Sequence, residues 1–148
     1  MSIAEKVCLT FAFVFFLTGL LTGVWKYWHM ARSDDASAPT YVDIAHRSSL
    51  LYSFAAILLG QLAAVSVFSD SVNTLASLAA LVFFALAITA YIVHGILRDT
   101  DNQLRRPHVL GAFTLPDWSM TLAMVLLIAG EVGGFVVLGS GAMIGLWG

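Results

Sequence analysis

Charge is what this sequence has least of. Only 11% of its 148 residues are Asp, Glu, Lys or Arg, against about 25% in an ordinary soluble domain. So few polar groups cannot cover the surface of a globule, which excludes a soluble enzyme and a disordered tail. There is no excess of positive charge either. Seven Lys and Arg against nine Asp and Glu give a net charge of −2, which leaves no basic field to hold a polyanion. The single cysteine, Cys8, has no partner for an internal disulfide and no CxxC spacing for metal or redox work. No GxSxG, HExxH, Walker or Rossmann motif occurs, so hydrolase and NTPase readings have no support. No repeat of solenoid period and no low-complexity segment is present.

What the chain has in quantity is apolar residues, 59% of the total. A membrane-spanning helix needs about 20 of them in succession. Four stretches meet that need, about 7–27, 46–68, 72–97 and 118–140, and together they use nearly the whole chain. The fold class expected is therefore all-α, a polytopic membrane four-helix bundle forming a single transmembrane domain over 1–148. A cleaved signal peptide fits the first stretch poorly, since one lysine precedes it and Trp25-Lys26-Tyr27-Trp28 is no small-residue cleavage site. Lys26, Arg32, Arg47, Arg98, Arg105 and Arg106 fall at one end of the bundle and only Lys6 at the other. The rule that cations stay inside then predicts cytoplasmic 1–2 and 3–4 connections, and both termini on the far side of a cytoplasmic (inner) membrane. Ser69-Asp70-Ser71 fits a short outer hairpin, and Trp25, Tyr27, Trp28 and Trp118 suit the cytoplasmic interface.

Ionisable and polar groups inside a bilayer are costly and are functional candidates. His46 is expected to open helix 2, and His94 lies one turn before the end of helix 3. On antiparallel neighbours joined by a short turn they would sit at similar depth. Neutral imidazole is a common metal ligand and haem axial ligand, and the alternative is an interfacial histidine with one hydrogen bond. His29 and His108 read as solvated loop residues. Tyr91 shares a helix face with His94, and Tyr52 lies over one and a half turns deeper than His46. Their hydroxyls either line a pocket beside His46 or belong to aromatic packing. Glu131 is the most deeply placed acid, about 20 Å beyond Trp118 at 1.5 Å per residue. Gln61 is expected at nearly the same depth, where an interhelical Gln61–Glu131 hydrogen bond would lower the cost of both. Gly19/Gly23, Gly130/Gly134 and Gly141/Gly145 form GxxxG pairs that permit close helix packing and a homo-oligomer. Arg47, Arg98, Arg105 and Arg106 have the geometry for carboxylates or phosphates, although the orientation rule alone accounts for them. The Pro107–Pro116 segment reads as a loop over the bundle end.

One pattern goes further. Leu20-Leu21-Thr22-Gly23-Val24-Trp25 ends helix 1, Ala45-His46 opens helix 2 with Leu50-Leu51-Tyr52-Ser53-Phe54 behind it, and Tyr91 lies near the end of helix 3. This resembles the small four-helix membrane isomerases, styrene oxide isomerase and the hydroxylaminobenzene mutases. The resemblance implies haem b bound through His46, a trimer with haem at subunit interfaces, and ferric iron acting as a Lewis acid on the oxygen of a small apolar epoxide. It also implies that Tyr91 orients the substrate oxygen. The family has an asparagine where this chain has Tyr52 and an acid where it has Phe83, and His94 is extra. The candidate site is thus His46 as metal ligand, Arg47 and His94 beside the cofactor, and Tyr91 and Tyr52 as catalytic groups. Two other functions stay open: a bis-histidine b-type electron carrier using His46 and His94, and a non-catalytic accessory membrane subunit.

Overall fold

Two serines start two of the helices. Ser2 accepts from the Glu5 backbone N–H while the Glu5 side chain accepts from the Ser2 N–H, a reciprocal capping box. Ser69 caps the third helix through the Val72 N–H. The adjacent Asp70 takes the Ile3 and Ala4 N–H groups at 3.0 and 3.1 Å, so one acid joins the N-termini of two helices. In the computed structural model, which describes residues 1–148, the elements are α1 (Ile3–Met30), α2 (Thr40–Val65), α3 (Asp70–Leu97), β1 (His108–Leu110), β2 (Phe113–Leu115) and α4 (Asp117–Trp147). All four helices are long and apolar enough to cross a membrane, as the composition predicts.

The helices pack as a bundle in which α2 and α3 touch both other helices, and α1 and α4 occupy opposite corners. Its interior is built from small side chains. Ala4, Cys8, Ala12 and Phe15 of α1 meet Ala56, Leu59 and Ala63 of α2, Ala76, Ala80, Leu81 and Ile88 of α3, and Leu138 of α4. Alanines let backbones approach, as helices in hydrocarbon require. The large apolar residues point outward: Phe13, Val24, Leu51 and Leu75 are each 68–69% exposed, a surface that suits lipid and not water. α4 is the least enclosed helix, with only Gly134, Leu138, Gly141 and Ala142 buried along its 31 residues.

Two expectations need correction. α2 starts at Thr40, six residues before His46. Hydropathy finds the lipid-facing part of a helix, whereas the helix itself continues past the apolar run, here with Asp43 in its first turn. And the 107–116 segment is not an irregular loop. It forms an antiparallel hairpin pairing His108 with Leu115 and Leu110 with Phe113, closed by a two-residue turn whose first position, Gly111, has φ +60°.

Candidate functional site

The GxxxG of α1 serves this chain's own α2. A methyl group placed on Gly19 would come within 2.6 Å of the Leu50 side chain, and one on Gly23 within 2.9 Å of His46 Cε1. The imidazole therefore lies directly on the Gly23 backbone. Its Nδ1 is 2.8 Å from the Gly19 carbonyl oxygen. A carbonyl only accepts, so Nδ1 carries the hydrogen, and in the neutral ring the free lone pair is on Nε2. Metal-binding histidines are commonly oriented in this way, by a carbonyl on the far nitrogen. The residues present thus fit an axial ligand. Gly19 and Gly23, which hold it, were legible in the sequence as a packing motif but not as a seat for His46. The other GxxxG pairs also work within the chain: Gly130 approaches Phe83, Gly134 the Ala76 carbonyl, and Gly141 and Gly145 the α2–α3 turn region.

Next to His46, Arg47 pairs with Asp43 at 2.7 Å and stays 65% exposed. Asp43 also holds Lys26 of α1 at 2.5 Å.

His94 is in a different place. Its ring lies tilted against Tyr41 with centroids 5.1 Å apart, and Tyr41 stacks on Tyr91 at 6.0 Å. Since Tyr41 is level with His94, His46 lies five residues deeper along α2, roughly 7 Å, and about 140° around it. The expected equality of depth fails because α2 starts earlier than hydropathy shows, and the two imidazoles do not share a site. His94 Nδ1 instead donates to Asp99 Oδ1 at 2.7 Å, with both side chains under a tenth exposed. Asp99 Oδ2 accepts the Gly111 N–H at 2.6 Å. Burial pushes the Asp99 carboxyl up, yet the Gly111 amide and His94 together outweigh it and hold its pKa below the ordinary carboxylate value. The Tyr41 hydroxyl accepts the Gln103 N–H at 2.5 Å, and His108 Nδ1 lies 3.2 Å from the Gln103 carbonyl. The 98–116 segment is therefore tied to the bundle end through His94, Asp99 and Tyr41. His108, expected in solvent, is buried. His29 belongs to the last turn of α1 and faces the Arg98 guanidinium at 3.3 Å. Asp99 was missed because Arg98-Asp99-Thr100-Asp101 reads as a charged, solvated cap. Its spacing, five residues after His94 and just past the helix end, was the available signal.

The tyrosines lie on a third face. The Tyr52 ring stacks on Phe84 of α3, 4.3 Å between centroids. Its hydroxyl neighbours that of Tyr91, and both phenols are near Glu131 of α4. Tyr52 follows His46 by six residues, about 120° around α2. So the structure brings Tyr52, Tyr91 and Glu131 together, and within one chain it does not bring them to His46. The expected Gln61–Glu131 bond does not form. Gln61 is exposed, and Glu131 Oε1 is buried without a partner. Leu58 and Leu59 line a crevice with Glu131, so Gln61, two residues past Leu59, lies within a turn of that depth and misses the acid because it is on an exposed face of α2.

No group of three or more His, Cys, Asp or Glu side chains converges to hold a bare metal ion. An iron carried by a macrocycle needs only an axial donor from the protein. Comparison with family models, with curated proteins and with solved structures returned no match.

Proposed function

We propose that this chain is a multi-pass protein of the cytoplasmic membrane, with the α1–α2 and α3–α4 connections in the cytoplasm, and that it is a haem-dependent isomerase of small apolar epoxides or related oxygenated compounds. The observation that carries the reading is the His46 imidazole, seated on Gly23 and bonded through Nδ1 to the Gly19 carbonyl, which leaves Nε2 as its free donor. Bound haem would supply a Lewis-acidic iron able to stabilise negative charge developing on a substrate oxygen. His46 would hold the iron, and Arg47, its mostly exposed neighbour in sequence, would pair with a carboxylate of the cofactor.

Oligomerisation is part of this proposal. His46 faces α1, whereas Tyr52 packs on Phe84 of α3 and Tyr91 on Tyr41 of α2, both near Glu131 of α4. A tyrosine can reach a substrate at the His46 cofactor only if a second copy presents it there, as the resemblance to interface-bound haem implies. The test is the absorption spectrum of the detergent-solubilised chain. A Soret band is expected, lost in His46→Ala and kept in His94→Ala. A wild-type protein without the band overturns the proposal, and loss of the band in both variants favours the bis-histidine carrier instead. Conversion of an aryl epoxide to its aldehyde, abolished by His46→Ala, tests the reaction itself.

A further inference from the structure

Midway along α4 is a carboxyl group that makes no hydrogen bond through its buried oxygen, although the Tyr52 and Tyr91 phenols lie nearby. Glu131 is the fifteenth of 31 residues in its helix, about 21 Å from either the start or, within a turn, the end. Its Oε1 is buried and has no hydrogen-bond partner. The seven Lys and Arg residues all lie toward the ends of the bundle, and Gln61, the amide best suited to pair with it, faces away. An ionisable group in the hydrocarbon region is expensive and ordinarily has a named partner.

Beside Glu131 is a crevice of about 330 Å³ between α2, α3 and α4, otherwise walled by Ala55, Leu58, Leu59, Ala80, Phe84, Val132 and Phe135. Leu58, Val132 and Phe135 are each about half exposed, at 51, 57 and 47%, so it opens sideways where a membrane would lie. Water is a poor occupant. An ordered water needs two to four polar partners, and Glu131 is the one polar lining residue.

We propose that this crevice binds lipophilic amines from the bilayer: the hydrocarbon body fills the apolar walls, and the ammonium N–H donates to Glu131. The wall composition selects a molecule that is apolar except at one point, and the lone acid selects a cation at that point. A charge-assisted bond in an apolar site is worth far more than a neutral one. The site stands apart from His46 and does not depend on haem.

The test uses the full-length protein in lipid nanodiscs, with 1-aminoadamantane as probe and 1-adamantanol as its neutral isostere. The amine is expected to bind at least about tenfold more tightly than the alcohol. Glu131→Gln removes the charge at nearly constant volume. It should weaken the amine by about tenfold or more and move the alcohol by less than about twofold. Ala55→Phe fills the crevice and should lose both probes. Equal binding of amine and alcohol, or amine binding unchanged in Glu131→Gln, overturns the proposal and leaves a crevice fit only for lipid chains. Amine binding that survives in Ala55→Phe overturns it by placing the amine elsewhere. Both variants are read alongside their melting temperature, and Glu131→Gln should melt no lower than wild type, since it removes a buried acid that has no partner.

Discussion

His46 and His94 occupy corresponding ends of two adjacent helices and differ in what their Nδ1 atoms meet. At His46 it is a neutral carbonyl, from a helix that has given up side chains at Gly19 and Gly23 to admit Leu50 and the ring. At His94 it is a buried carboxylate that also holds the Gly111 amide, 12 residues farther along. The first arrangement fixes a ring and leaves one nitrogen uncommitted, as a ligand requires. The second connects a helix end to a hairpin, as a clasp requires. The same residue type at the same bundle end thus keeps one ring nitrogen uncommitted in one case and is a fastening within the chain in the other.

The comparison breaks most easily at the clasp. Asp99→Ala removes one member of a buried charged contact and strands both the His94 ring and the Gly111 N–H, a loss of about 3 kcal/mol. His46→Ala gives up one neutral hydrogen bond and some ring packing, about 1–2 kcal/mol. Thermal or denaturant unfolding of the two variants in detergent should rank them in that order. The reverse ranking would show that the two sites have been assigned the wrong roles.

Acid sharpens the contrast. The Asp99 pKa is depressed in the folded chain, so its contribution is complete above the ordinary carboxylate value and is lost as pH falls through the lower folded value. Hydrogen exchange at the Gly111 amide should stay slow through neutral and mildly acidic pH and accelerate only below the usual carboxylate range. In Asp99→Asn that acid-dependent step should be absent. The His46 seat has no acid in its hydrogen bond, and exchange in the α1 segment over it should show no corresponding step.

How far these two sites were legible in sequence follows from the physics of each. The four helices were legible because apolar runs of spanning length have one outcome in a membrane. The start of α2 was not, because Thr40 to Ala45 lies where hydropathy ends but the helix does not, and that displacement misplaced the His46–His94 pair; the Gln61–Glu131 pair fails because Gln61 is on an exposed face of α2. Ala45-His46 stood out in the sequence, but that Gly19 and Gly23 face Leu50 and His46 is a matter of helix rotation that one sequence does not carry. Asp99 looked like solvent-facing charge because its burial depends on a hairpin whose turn residue Gly111 is 12 residues away. That hairpin is short, and its Leu110-Gly111-Ala112-Phe113 turn is flanked by prolines that suggest only a loop.

Glycine substitutions test the His46 seat more gently. Gly23→Ala places a methyl 2.9 Å from His46 Cε1, so either the ring or the α1–α2 spacing must give. A cost of about 1–2 kcal/mol is expected, together with loss of the Soret band if His46 holds haem. Gly133→Ala is the matching control on α4, where an added methyl meets nothing within 4 Å. It should be within about 0.5 kcal/mol of neutral, tending to stabilise through helix propensity. Equal effects of the two would mean that the ring does not depend on Gly23.

The smallest effect expected on stability is at Arg47, and its size makes it useful. The guanidinium is 65% exposed, and its partner Asp43 keeps Lys26 at 2.5 Å when Arg47 is removed. An exposed ion pair of this kind is worth about 0.5 kcal/mol or less, so Arg47→Ala should melt with wild type. That leaves cofactor retention as a separate readout. If Arg47 pairs with a cofactor carboxylate beside His46, Arg47→Ala should release haem faster in a transfer assay while its melting temperature stays unchanged. The same substitution at Arg105, which is 65% exposed and whose partner Asp101 is 61% exposed, should change neither. Equal haem loss from both variants would reduce Arg47 to one more cation at the charged end of the bundle, and leave His46 alone as the link between this chain and a cofactor.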